Sequence, residues 1–241
     1  MIDLHCHLLP GIDDGPKTLQ EALRMAEYAV EQGIQRSVLT PHIQPGCYDN
    51  DIDSIQAAYQ AFQTALDDHF IPLKISMAAE VRVCAELPQM ISQNKIPFIG
   101  FWENKKVLLL EFPHDHIPVG ADKLVAWLIA RDIIPLIAHP ERNQAVLRQP
   151  DKIMPFIHIG CLLQVTASSV TGLFGTASQQ CALRLIEQNL VTVLASDAHN
   201  LHKRQATLLP ALTYLKPLIG ERQADALVTT HPARMISAQQ T

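Results

Sequence analysis

Val107-Leu108-Leu109-Leu110-Glu111-Phe112 sets a glutamate directly after four aliphatic residues. A carboxylate buried at the end of such a run is costly unless a cation, a metal ion or several donors meet it. The run reads as a strand over 107–111 that delivers Glu111 to something of opposite charge. Working outward, the same arrangement recurs. Ile133 to Ala138 ends at His139, Ala78-Ala79 ends at Glu80, and Val191 to Ala195 runs to Ser196-Asp197-Ala198-His199. Ser37 to Thr40 ends at Pro41-His42, and the chain opens Met1-Ile2-Asp3-Leu4-His5-Cys6-His7.

These runs predict strands near 2–5, 36–40, 73–79, 107–111, 134–138, 162–166 and 192–195. Between them, Leu19 to Gln32, Asp53 to His69, Ala121 to Arg131 and Ala177 to Gln188 carry apolar residues at helical spacing. Strands alternating with helices give an α/β protein with a parallel sheet in seven βα units. Periodicity does not separate an open doubly wound sheet from a closed barrel, but ligand placement does. An open sheet gathers its site at one switch point, whereas a barrel brings the C-terminal ends of many strands around one mouth. Metal-ligating side chains at six of the seven strand ends favour an irregular seven-stranded (β/α) barrel.

The 241 residues, 48% of them hydrophobic, suffice for one core, and one domain over 1–241 is expected. A net charge of −5 lacks the surplus that nucleic-acid binding usually needs, although a local basic pocket can still hold a phosphate. The most apolar stretch, Leu124 to His139, is broken by Arg131, Asp132 and Pro135, and no cationic apolar leader precedes the first strand. A cytoplasmic protein without membrane insertion is expected. Five cysteines without Cys-x-x-Cys spacing disfavour a disulfide framework and a thiolate zinc site. None is followed by Arg at the spacing that a cysteine-dependent phosphatase requires. Asn94 to Lys106 reads as an exposed excursion, and His114, Asp115 and His116 as loop residues outside the site.

In His5-x-His7 the two imidazoles share one face of an extended strand while Cys6 faces away. Asp197-x-His199 repeats that geometry with a carboxylate first. Asp14 has two readings, a ligand folded back over the first strand or an acidic turn before a helix. The eight residues His5, His7, His42, Glu80, Glu111, His139, Asp197 and His199 are too many for one ion, so two or three metals are expected. Oxygen and imidazole donors suit manganese, zinc or iron(II).

The motifs HCH at 5–7, TPH at 40–42, AHPER at 138–142 and SDAHN at 196–200, with the strand-end glutamates, resemble the PHP (polymerase and histidinol phosphatase) family of metal-dependent phosphoesterases. Within it the chain is most similar to bacterial tyrosine-protein phosphatases encoded with capsular or exopolysaccharide genes. That closer resemblance rests on MIDLHCHLLPGIDDGPKT at 1–18, AEV at 79–81, LLLEF at 108–112, Arg204 after SDAHN and HPARMI at 231–236. It implies a seven-stranded barrel with three ions, usually manganese, and adds Asp14 to the eight ligands. It also implies that Arg142 and Arg204 contact the substrate phosphate, for which guanidinium forks suit better than ammonium.

The expected reaction is hydrolysis of a phosphotyrosine protein of capsule or exopolysaccharide synthesis, such as its tyrosine kinase, with His199 or solvent as acid. The alternatives are a PHP phosphatase for a small metabolite such as histidinol phosphate, a phosphodiesterase, and a non-catalytic metal-binding scaffold. The loops near Gln44 to Asp49 and Asn200 to Gln205 are expected to shape a shallow mouth. One departure stands out: Gln164-Val165 is followed by Thr166 where relatives more often carry asparagine, which puts the surroundings of the metals in doubt.

Overall fold

In the computed structural model, which describes residues 1–237, parallel strands succeed one another around a barrel in chain order. The strands are β1 (Ile2–Cys6), β2 (Arg36–Leu39), β3 (His42–Ile43), β4 (Lys74–Met77), β5 (Glu80–Arg82), β6 (Gly100–Trp102), β7 (Lys105–Glu111), β8 (Ile133–Ala138), β9 (Leu162–Thr166) and β10 (Val193–Ala195). Pairing runs β1-β2-β4 along one stretch and β3-β5-β7-β8-β9-β10 along the other. The expected second and third strands are each broken near their ends. Pro41 offers no N–H to the ladder, so β2 resumes as β3, and β4 resumes as β5 beyond Ala78-Ala79.

The first and last strands close the ring. Asp197 N donates to His5 O and His7 N to Ala198 O, each at 2.8 Å. Below them the buried Asp3 carboxylate accepts from Ser196 N at 2.9 Å and from the Ser196 hydroxyl.

Alternation sorts the strand residues into two apolar layers. Leu108 and Leu110 of β7 join the outer core against helices such as Leu19–Glu31 and Ala121–Ile129, while Val107 and Leu109 point into the barrel with Leu136, Ala138, Val193 and Ala195. Continuing that parity brings Glu111 to the inner face, just above Leu109. Glu80 follows the inner Ala78 in the same way.

Residues 94–106, expected as an exposed excursion, instead close the floor. β6 pairs antiparallel with β7, and Ile99 packs inside the barrel with Met235 and Ile236. Gly100 passes so near the helix Thr230–Ile236 that an added Cβ would lie 2.1 Å from the Met235 carbonyl oxygen. Burial is confined to Ile96, Pro97, Ile99 and Gly100, while Asn94, Glu103, Asn104 and Lys106 are exposed, so the expected excursion holds at both ends of the segment and fails in its middle.

Candidate metal centre

Three local devices aim the ligands into the mouth. The pairing register of β1 shifts between Asp3 and Cys6, so Leu4 joins the interior cluster while His5, next in sequence, also reaches the mouth. Strict alternation would have set those two on opposite faces. His139 and Asp197 adopt left-handed φ values of 31° and 52°. Non-glycine residues there cost about 1–3 kcal/mol each and cluster at functional positions. The turn at His139 swings its ring inward although Ala138 before it already faces the interior. Finally, Gly15 lets the Asp13-Asp14 turn fold onto β1, because a Cβ there would meet His7 O at 2.5 Å.

The resulting cluster is almost dry. His5, His7, Glu80, Asp197 and His199 are each at most 3% exposed, and His42, Glu111 and His139 are also buried. His5 Nδ1 donates to Gln164 Oε1 at 2.9 Å, and His7 Nδ1 to Asp13 Oδ2 at 2.7 Å. With both Nδ1 atoms donating, the neutral rings present lone pairs at Nε2. Those two atoms face each other at 3.2 Å. Glu80 Oε2 lies 3.4 Å from each, and Asp197 Oδ1 lies 3.3 and 3.5 Å away. Each carboxylate oxygen thus closes a triangle with the two Nε2 atoms, and such donor triangles call for a cation or a proton between them. Ligands about 2.1 Å from one ion stand roughly 3.0–3.4 Å from one another.

The other candidate ligands extend this arrangement. Sets of donor atoms lying mutually within 4.8 Å are His7, Asp14, His42 and His199; His5, His7 and Glu80; His5, His139 and Asp197; and His42, Glu80 and Glu111. Together they include every residue expected as a ligand, with His5, His7, His42 and Glu80 shared between sets. His42 Nδ1, His199 Nε2 and Asp197 Oδ1 are buried without a hydrogen bond. Between the two readings of the acidic turn, the structure divides the labour: Asp13 is buried behind His7, while Asp14 faces His199 Nε2 at 3.2 Å and His42 Nε2 at 3.4 Å. The donor set fits divalent ions, and no thiolate contributes.

The electrostatics point the same way. Burial penalises a charged imidazole, yet the carboxylates around His5 and His7 outweigh it and raise both, so without an ion these rings take up a proton where a cation would otherwise sit. His42 and His139 are pushed down to about 4, both chiefly by burial. Burial, reinforced by the neighbouring Glu80 charge, pushes Glu111 up to about 8 despite Arg82 at 2.8 Å. Asp197 is held well below the carboxylate range against its burial, by Arg204, His5 and Arg142.

Arg142 and Arg204 converge on the same oxygen, Asp197 Oδ2, the latter at 2.6 Å. Arg142 also lies 4.5 Å from the Phe174 ring. Sequence reasoning missed Gln164 and Asp13 as ring anchors, Arg82 as the partner of Glu111, and Tyr48, stacked on His42 at 5.4 Å. An acidic pair in tandem and a glutamine two residues before a strand end were the available signals. His116 bonds its neighbour Asp115 on the surface, outside the cluster. Cys6, Cys161 and Cys181 are buried with thiols raised by that burial, so none is poised as a nucleophile.

A family model for capsular polysaccharide synthesis, CpsB/CapC, matches residues 1–237. The tyrosine-protein phosphatase YwqE of Bacillus subtilis is 34% identical over 241 residues, covering 100% of this chain and 93% of the relative. The tyrosine-protein phosphatase CpsB of Streptococcus agalactiae serotype V is 28% identical, with 94% of each chain covered. Among solved structures, a chain from the work on YwqE of Bacillus subtilis and CpsB of Streptococcus pneumoniae, metal-dependent tyrosine phosphatases, matches with a TM-score of 0.91. Identity there is 33%, over 99% of this chain and 95% of that one. A phosphotriesterase homology protein from Escherichia coli, at 10% identity and a TM-score of 0.61, shares the barrel alone.

Proposed function

Because the chain belongs to the capsular polysaccharide synthesis CpsB/CapC family, we propose that it is a metal-dependent phosphomonoester hydrolase that removes phosphate from tyrosine in a protein of capsule or exopolysaccharide synthesis, such as a tyrosine kinase. We further infer that its barrel is of the PHP type, forms one domain and works in the cytoplasm. Five unpaired cysteines accord with a reducing compartment, and among the described residues no helix is long and apolar enough to cross a membrane. The observation that carries the reading is the convergence of His5 Nε2, His7 Nε2, Glu80 Oε2 and Asp197 Oδ1 with both Nδ1 atoms already donating.

His5, His7, Asp14, His42, Glu80, Glu111, His139, Asp197 and His199 would hold two or three divalent ions, manganese first, with zinc or iron as alternatives. Bound there, such ions lower the pKa of water toward neutrality and offset phosphoryl charge. The protein's own contribution is placement. Arg142 and Arg204, already clasping one carboxylate oxygen, offer a two-pronged seat for phosphoryl oxygens beside the ligands. His199 Nδ1 donates to the Asp197 carbonyl at 3.0 Å, which leaves Nε2 as a lone pair and favours a ligand role over that of acid. A phenol, of pKa about 10, leaves with less proton assistance than an alkyl alcohol. The site therefore suits an aryl phosphate without a dedicated acid.

The test is turnover of a phosphotyrosine peptide, histidinol phosphate and a phosphate bis-ester in parallel. Peptide turnover is expected to vanish on chelation, return with manganese and survive thiol alkylation. Activity that persists after thorough chelation overturns the metal reading. Preference for either of the other two substrates overturns the substrate assignment.

A further inference from the structure

One cleft adjoins the metal ligands and has features that phosphate hydrolysis does not use. It encloses about 290 Å³ and runs outward from Asp14 and His199, between the start of the helix Leu19–Glu31 and the loop around Leu201. Its lining is apolar at Pro16, Met25 and Leu201, and its lip carries exposed Lys17 and Arg24.

The charges on that lip are unspent. Arg24 has no ion pair among the described residues. Lys17 Nζ donates to a backbone oxygen, that of Asp13 at 2.8 Å, so its charge meets no carboxylate. Of the two acids that line the cleft, Asp14 faces His42 and His199, and Glu21 Oε2 accepts from Lys17 N at 2.9 Å and Thr18 N at 3.3 Å, capping the helix. The formal charges of the lining balance, but both acids are thus committed, whereas among the described residues Arg24 and Lys17 stand without a carboxylate partner.

Resting on the phosphotyrosine reading above, we propose that this cleft seats the polypeptide flanking the phosphotyrosine and selects a substrate with an acidic side chain close to it. The chain of such a substrate leaves the metal centre past His199, lays apolar atoms on Leu201, and meets Arg24 and Lys17 with its carboxylate. About two or three extended residues, roughly 7–11 Å, span a cleft of this kind. Its volume, near the low end of the usual range for ligand pockets of about 300–1,000 Å³, admits one or two side chains rather than a folded surface.

The experiment compares the manganese-loaded full chain on three phosphotyrosine peptides of equal length, with glutamate, alanine or lysine flanking the phosphotyrosine. Free phosphotyrosine and p-nitrophenyl phosphate serve as controls. The glutamate peptide is expected to exceed the lysine peptide by about five- to tenfold in kcat/KM, mostly through KM, as one or two half-exposed charge pairs supply. Raising the salt should shrink that ratio. Arg24→Glu should bring it to unity or invert it, with p-nitrophenyl phosphate turnover unchanged, and Arg24→Ala should fall between. Turnover that is indifferent to the flanks, or a preference that survives Arg24→Glu, overturns this inference and leaves the phosphatase reading standing. Failure on every phosphotyrosine substrate, controls included, overturns both.

Discussion

Glu111 concentrates the cost of this centre in one carboxyl. Burial and Glu80 raise it from 4.5 to about 8, so the metal-free protein holds a proton there that the unfolded chain has released. For a raised group, stability is fully present below the unfolded value and is lost as pH climbs through the folded one. His42 and His139 act on the opposite flank: lowered from 6.5 to about 4, they contribute stability above 6.5 that disappears as acid is added. The two windows overlap below pH 6.5, where two histidines outweigh one carboxyl, so metal-stripped protein is expected to melt highest near pH 6.5. Glu111→Gln should flatten the alkaline decline between about pH 6.5 and 8, while weakening metal binding measured by calorimetry. An unchanged alkaline slope in that variant would show that the proton sits elsewhere. Most of the expected ligands stood out in sequence because they follow apolar runs, whereas Asp14 was added only by the family resemblance. Their supports were not legible: Arg82 meets Glu111 through the register of β5 against β7, and Gln164 reaches His5 across 159 residues only because the ring closes.

At the level of elements, alternation carried most of the information. The four helices with predicted spans lie within two residues of them at either end, and Leu109 inward with Leu110 outward follows from a period of two. What alternation does not encode is where it breaks. The register shift in β1, the left-handed turn at His139 and the gap between β2 and β3 each re-aim a ligand. None has a glycine to announce it. The hairpin of β6 and β7 was hidden for a different reason: its burial depends on the distant helix Thr230–Ile236. Gly100→Ala tests that contact. With a Cβ 2.1 Å from a carbonyl oxygen, backbone must move, and a loss of about 2–4 kcal/mol is expected in denaturant melts. Metal affinity at the opposite end of the barrel should change far less. A neutral result would mean that the floor is loosely packed.

Across the whole molecule, the ring is one mechanical object whose joint is the seam between β1 and β10. Asp3 there accepts from both the amide and the hydroxyl of Ser196. Asp3→Ala leaves those donors buried and unmet, at about 1–3 kcal/mol each. The expected outcome is a melting temperature lower by several degrees. Metal release measured with a chromogenic chelator should also be faster, because the seam sets the distance between His5 and Asp197. Removal of metal alone should lower the melting point too, since an ion at a hundred times its Kd adds about 2.7 kcal/mol. Equal melting with and without chelator would separate the seam from the centre. The same joint has a consequence for biosynthesis. β1 leaves the ribosome first and β10 follows some 190 residues later, so a nascent chain displays His5 and His7 long before Asp197 exists to complete their shell. An ion that needs ligands from both sides of the seam can be held only once β10 has been made, so its binding would report a closed ring.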